Sequence, residues 1–243
     1  MKLSLLENQV KTNLDRVLDN ITRSALSAGR DPETVRLVVV TKGHSLETVQ
    51  AALAAGAHYL GENYVDEALE KIVSLGSQTG VEWHMIGHIQ SRKARLVSEN
   101  FTYIHSLDSL KLAERLDRFA GEAGKRLPVL LECNVSGEES KFGFPAWELS
   151  QWGALAEQAG QIAALPNLAL DGLMTMPPYF DEPEIVRPYF QKLVRLRDYL
   201  DGKLPGVNLK ELSMGMSGDY EVAIQEGATW VRVGTAIFGP RPE

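Results

Sequence analysis

The feature that most constrains the fold of this chain is a repeated alternation. Eight short runs rich in Val, Ile, Leu and aromatic residues are separated by stretches with helical spacing. The strand-like runs fall at 36–40, 57–61, 82–87, 103–106, 128–135, 168–174, 211–214 and 229–234. The first, Arg36-Leu37-Val38-Val39-Val40, is nearly all apolar, as expected of a strand covered on both faces. Between the runs lie seven helical stretches, near 46–55, 64–75, 91–98, 109–123, 146–164, one ending near 200, and 219–226. Ser45 caps the first of them, and Asp108 caps the fourth. Strict alternation calls for a parallel sheet with right-handed crossovers. Eight units fit a (β/α)8 TIM barrel, with a doubly wound open sheet as the alternative.

A leading amphipathic helix precedes the first strand. Leu3, Leu6, Val10, Leu14, Val17, Leu18, Ile21 and Ala25 recur at helical spacing, and Gly29 with Asp31-Pro32 stops the helix. No linker or shift in composition divides the rest, so the expectation is one barrel domain over 1–243 with a leading helix over 1–30.

Composition excludes several functions. The single cysteine, Cys133, rules out an internal disulfide and a cysteine-rich zinc site, and no metal centre is expected. A formal net charge of −7 disfavours nucleic acid and anionic membranes as partners. No run approaches the about 18 to 20 apolar residues of a membrane span. Glu7, Lys11, Asp15 and Arg16 interrupt any signal-peptide core, so the expected location is the cytoplasm.

Barrel active sites sit at the C-terminal ends of the strands, so polar residues there are the candidates. Lys42 follows the first strand, where burial would make it a better amine nucleophile; a loop lysine in water is the plain alternative. Gly61-Glu62-Asn63-Tyr64 ends the second, with Asn63 also readable as the cap of the next helix. His84 and His88 belong to the third, His84 reading as a core group. Asn134 ends the fifth, and the loop beyond it carries Lys141. The seventh and eighth end in Ser213-Met214-Gly215-Met216-Ser217-Gly218-Asp219 and Arg232-Val233-Gly234-Thr235, the usual place for phosphate in this fold. Arg232 lies inside an apolar strand and needs a partner there. A lysine, a phosphate cradle and a buried arginine suit a phosphorylated aldehyde with a ring nitrogen, pyridoxal 5′-phosphate. A phosphosugar aldolase of class I uses a similar pairing and stays open.

Five stretches carry a family resemblance: Val38-Val39-Val40-Thr41-Lys42, Gly61-Glu62-Asn63-Tyr64, 83–90, 212–217 and 231–239. In order and spacing they resemble the pyridoxal phosphate homeostasis family, whose bacterial members are called YggS-like. The resemblance implies a barrel of pyridoxal-phosphate fold type III, like the N-terminal domain of alanine racemase. It implies that Lys42 forms the internal aldimine, Arg232 faces the pyridine nitrogen, Ser213, Gly234 and Thr235 hold the phosphate, and Asn63 sits near the ring. An arginine at that nitrogen weakens the cofactor as an electron sink, which suits a holder of cofactor and implies no catalytic residues. The chain departs from the common pattern at Lys42-Gly43-His44-Ser45, which lacks a second lysine and a proline, and at Gln90-Ser91-Arg92-Lys93.

The expected function is therefore a monomeric pyridoxal phosphate holder, with pyridoxal-phosphate-dependent apo-enzymes as recipients and Lys141 a candidate for assisting release. The rival is an amino-acid racemase. It needs a second base, which alanine racemase takes from a tyrosine on a separate β domain. This sequence ends at Glu243, directly after the eighth strand's loop, so the expectation is that no such domain is present.

Overall fold

The computed structural model describes residues 2–76 and 80–240; Met1, 77–79 and 241–243 lie outside the described residues, as do the side chains of 2–4, including Leu3. The strands are β1 (Arg36–Val40), β2 (Tyr59–Glu62), β3 (Glu82–Met85), β4 (Tyr103–Leu107), β5 (Leu127–Asn134), β6 (Phe144–Pro145), β7 (Leu168–Met174), β8 (Glu211–Ser213) and β9 (Trp230–Val233). The helices are α1 (Lys2–Ser27), α2 (Leu46–Ala54), α3 (Val65–Leu75), α4 (Ala94–Asn100), α5 (Leu110–Glu122), α6 (Leu149–Ala163), α7 (Arg187–Asp201), α8 (Tyr220–Gln225) and α9 (Thr235–Phe238).

All the strand pairs are parallel, and the sheet order is β4-β3-β2-β1-β9-β8-β7-β5 with β6 on the end of β5. Pairing of β4 with β5 closes the ring, so the sheet is a barrel and the open-sheet alternative falls. The expected (β/α)8 architecture is present, and its seventh and eighth strands are β8 and β9.

Two layers of apolar side chains hold it. Between strands and helices runs the main core, which includes Leu60, Met85, Ile104, Leu116, Phe190 and Leu212. Inside the barrel a second cluster, Val38, Ile86, Tyr103, Leu130, Met174 and Trp230, fills the axis as the fold requires. Arg36 stacks over the Trp230 ring at 3.9 Å and pairs with Glu211, closing the end of the barrel opposite the strand C-termini.

The leading helix is structural. Its stripe Val10, Leu14, Val17, Ile21 and Ala25 is buried, whereas Leu18 is half exposed. It packs on α2, α8 and α9. Asn13 Nδ2 donates to the Ile237 carbonyl (2.8 Å), and Asn20 Nδ2 to the Tyr220 hydroxyl (2.9 Å). The helix after β9 is a single short turn, so α1 fills the eighth helical position of the outer ring.

Several local expectations need correction. Ser109, not Asp108, caps α5, accepting from Leu112 N at 3.4 Å; Asp108 is drawn away by His88 Nδ1 at 2.8 Å. Asn63 does not cap α3, whose N-cap is Tyr64 with no side-chain bond. The third helical stretch opens with a 3-10 turn at Ser91–Lys93 before α4. The fifth begins at Leu149, held by a capping box between Glu148 and Gln151, rather than at 146. There Ala146 N instead donates to the Asn134 carbonyl, which extends the β6 pairing.

Candidate functional site

A concave site opens at the C-terminal ends of the strands, as a cavity of about 230 Å³. Each wall comes from a different strand end. Lys42 stands just past β1 and Asn63 just past β2. Met176, Tyr179, Phe180 and Pro183 come from the segment after β7, and Met216 to Asp219 from the turn after β8. Arg232 of β9 and Gly234-Thr235 at the start of α9 complete it. Five of the six sequence-predicted residues, Lys42, Asn63, Arg232, Gly234 and Thr235, therefore meet in one cavity.

Ser213 stands apart from them. It is fully buried, and its hydroxyl accepts from Arg232 Nη1 at 2.6 Å and lies 2.7 Å from His105 Nδ1. A second guanidinium nitrogen of Arg232 donates to the Thr175 carbonyl at 2.9 Å. His105 Nε2 in turn lies 2.9 Å from His84 Nδ1. Burial lowers the pKa of both imidazoles and keeps them neutral. His84 is thus a core group, as the sequence suggests; His105 is a partner that sequence reasoning missed. Its only signal was a polar residue at an inward position of β4.

Arg232 is 3% exposed, and desolvation pulls its pKa down to about 10 against the opposing pull of Asp219 and Glu132. It remains a cation at neutral pH. Two of its five N–H groups are accounted for by Ser213 and Thr175, leaving donors for a ligand.

The β8–α8 turn is built for close approach. Gly215 adopts φ +94°, and a Cβ there would lie 2.6 Å from Ala223 Cβ and 2.9 Å from Tyr220 Cα. Asp219 Oδ1 accepts from Met216 N at 2.5 Å, and Ser217 Oγ accepts from Ala236 N at 3.2 Å, tying this turn to α9. Gly234 lets the β9–α9 turn lie against β1, since a Cβ would come within 3.1 Å of the Val40 carbonyl oxygen. Asn63 Oδ1 is buried without a hydrogen-bond partner, an orphan a ligand donor would satisfy.

Glu132 ends β5, 3% exposed, and burial pushes its pKa up to about 7, reinforced by Asp108 and opposed by Arg232 and Lys141. Its usual value is 4.5, so the folded protein holds an extra proton between about pH 4.5 and 7. Stability should fall as pH rises across that window. Glu132→Gln should remove this slope, gaining about 3 kcal/mol over wild type at pH 8 relative to pH 4.5. Urea unfolding of the unliganded proteins at both pH values checks this; parallel pH profiles would contradict it. Lys141 donates to the Pro177 carbonyl at 3.1 Å and lines a neighbouring recess with His88, Asp108 and Phe142 rather than the main cavity.

Among the described residues, no cluster could hold a metal ion, and no helix is long and apolar enough to cross a membrane. The family model described as alanine racemase, N-terminal domain, matches residues 12–242. A pyridoxal phosphate homeostasis protein from Pseudomonas aeruginosa is 45% identical over 232 residues, spanning 96% of each chain. The structure of PipY from Synechococcus elongatus PCC7942 with PLP bound is 36% identical, with a TM-score of 0.78, covering 90% of this chain and 100% of that one. Alanine racemase from Streptomyces coelicolor A3(2), 19% identical with a TM-score of 0.73, covers 99% of this chain and 59% of that one, a likeness of fold alone. On this evidence the chain belongs to the alanine racemase N-terminal domain family and, within it, to the pyridoxal phosphate homeostasis proteins.

Proposed function

We propose that this protein binds pyridoxal 5′-phosphate in the cavity at the barrel mouth and holds it in reserve, without turning over amino acids. The observation that carries the reading is the convergence of Lys42, the 217–218 and 234–235 turns and the buried Arg232 on one cavity. The PLP-bound state of PipY and the naming of the curated relatives support it.

The residues fit the group. The cofactor, when bound, supplies an aldehyde that links reversibly to an amine. Lys42 is the lysine of the cavity and offers that amine. Gly234 and Thr235 open α9, and the Thr235 N–H and hydroxyl suit phosphate oxygens. Gly218 and Ser217 face them across the tied turn. The orphaned Asn63 amide suits a ring substituent. In this reading Ser213 serves the cofactor through Arg232, holding the guanidinium in place, rather than by touching phosphate.

Arg232 carries the non-catalytic reading. With the cofactor bound, this fixed cation would donate to the ring nitrogen and disfavour its protonation, which would limit carbanion stabilisation. The protein then works as a reversible store that keeps a reactive aldehyde away from other amines and hands it to apo-enzymes. A monomer in the cytoplasm fits this role.

Purified protein should turn yellow with pyridoxal 5′-phosphate, and should restore an apo-enzyme's activity on mixing. Loaded protein should interconvert L- and D-alanine, or other enantiomer pairs, no faster than free cofactor. Robust turnover by chiral chromatography would make it a racemase.

A further inference from the structure

Behind Lys42 lies a cluster of buried charges that the cofactor-holding reading does not use. Lys42 follows Thr41 in a tight turn closed by His44 N donating to the Thr41 carbonyl at 3.2 Å. Gly43 supplies the positive φ (+71°) that the turn needs. Both residues flanking Lys42 are gripped by side chains. The Thr41 hydroxyl donates to Glu62 Oε1 at 2.6 Å, and the Thr41 carbonyl accepts from Lys71 Nζ at 2.7 Å. On the other side, Gly43 N donates to Glu67 Oε1 at 2.6 Å. Lys71 joins the two carboxylates, reaching Glu62 Oε1 at 2.7 Å and Glu67 Oε1 at 2.6 Å.

The elements explain the geometry. Glu62 ends β2, next to β1, and is wholly buried. Glu67 and Lys71 lie one turn apart on α3, on the face toward these strands. Lys71 spends all its N–H donors on Thr41, Glu62 and Glu67. Glu62 Oε2 stays buried with no partner, and desolvation raises the Glu62 pKa.

Such a cluster is a poor way to gain stability, because removing charges from water costs about as much as pairing them returns. It is a good way to fix a backbone. Its three side chains place three hydrogen bonds on the residues before and after Lys42.

We propose that Glu62, Lys71 and Glu67 are positioning residues that clamp the 41–44 turn and so aim the Lys42 amine at the cofactor's aldehyde. The proposal rests on the reading of Lys42 as the cofactor anchor. The bond it serves forms between Lys42 Nζ and the aldehyde carbon, with loss of one water. The clamp residues do not touch the cofactor. They act on the rate and yield of that bond, and not on the binding of ring and phosphate.

Two probes separate these effects. Pyridoxal 5′-phosphate forms the bond; pyridoxine 5′-phosphate has the same ring and phosphate but an alcohol in place of the aldehyde. Glu67→Gln is the mild variant, since that side chain is partly exposed; Lys71→Met is the severe one. Stopped-flow absorbance gives the rate of the yellow band at saturating pyridoxal phosphate, and calorimetry gives the Kd for the alcohol. In both variants the covalent rate should fall about tenfold to a hundredfold, the penalty typical of a reacting group displaced by about an ångström. The alcohol's Kd should stay within about twofold of wild type. An unchanged rate in Glu67→Gln overturns the clamp. So does weakening of the alcohol in step with the aldehyde, which marks a general loss of structure. If wild type forms no band, the anchor reading itself fails and the clamp goes with it; if wild type forms the band and Glu67→Gln forms it as fast, only the clamp fails.

Discussion

Lys42→Ala is expected to abolish the yellow band that wild type forms with pyridoxal 5′-phosphate, while pyridoxine 5′-phosphate binds both proteins alike. On the proposed reading Lys42 supplies the amine, while the backbone of 217–218 and 234–235 takes the phosphate and Arg232 the ring; all of them line the one cavity. Removing one long side chain at the mouth of a rigid barrel leaves those parts in place, so the melting temperature should barely move. Loss of the covalent bond should weaken pyridoxal phosphate by more than about tenfold, which is about 1.4 kcal/mol. If the band survives in Lys42→Ala, another amine is the anchor. Lys141, in the adjoining recess, is then the first to replace.

The second large effect is at Arg232. Arg232→Met should weaken pyridoxal 5′-phosphate and pyridoxine 5′-phosphate together, by about tenfold to a hundredfold, the worth of a charged hydrogen bond in a desolvated site. Its effect on the unliganded fold should be smaller, within about 2 kcal/mol. Removing a buried cation relieves a desolvation cost, while the Ser213 hydroxyl and Thr175 carbonyl each lose a donor. The two terms oppose. Titration calorimetry and urea unfolding on the same preparation measure both. A variant that loses several kcal/mol of stability yet binds normally would make Arg232 a structural residue.

The architecture was legible because the alternation of strands and helices is a property of sequence spacing, and each strand carries its own apolar signal. That Lys42, Asn63, Arg232, Gly234 and Thr235 line one cavity was legible because they sit at strand ends, and a closed barrel brings strand ends together. What stayed hidden depends on side-chain direction and on contacts between distant strands. Ser213 reads like a phosphate ligand beside a glycine turn, yet its β8 position points it inward under Arg232. Asn63 reads like a cap, because it is a small polar residue just ahead of a helix; the chain turns one residue later, at Tyr64. The two-residue strand β6 carries too little sequence to show a period. Lys71 was hidden for another reason. A lysine on an amphipathic helix reads as solvated, and only Glu62, from a neighbouring strand, and Glu67, one turn earlier, draw it inward. The i, i+4 spacing of Glu67 and Lys71 was visible, but the buried carboxylate that makes the pair matter was not.

The central claim is that Lys42 anchors pyridoxal 5′-phosphate at the mouth of the barrel. The most direct measurement is to load wild-type protein with the cofactor, reduce it with borohydride, digest it and locate the added mass by peptide sequencing. One stoichiometric adduct on Lys42 and none on Lys141 is the expected result. An adduct spread over surface lysines, or concentrated on any residue outside the cavity, would contradict it.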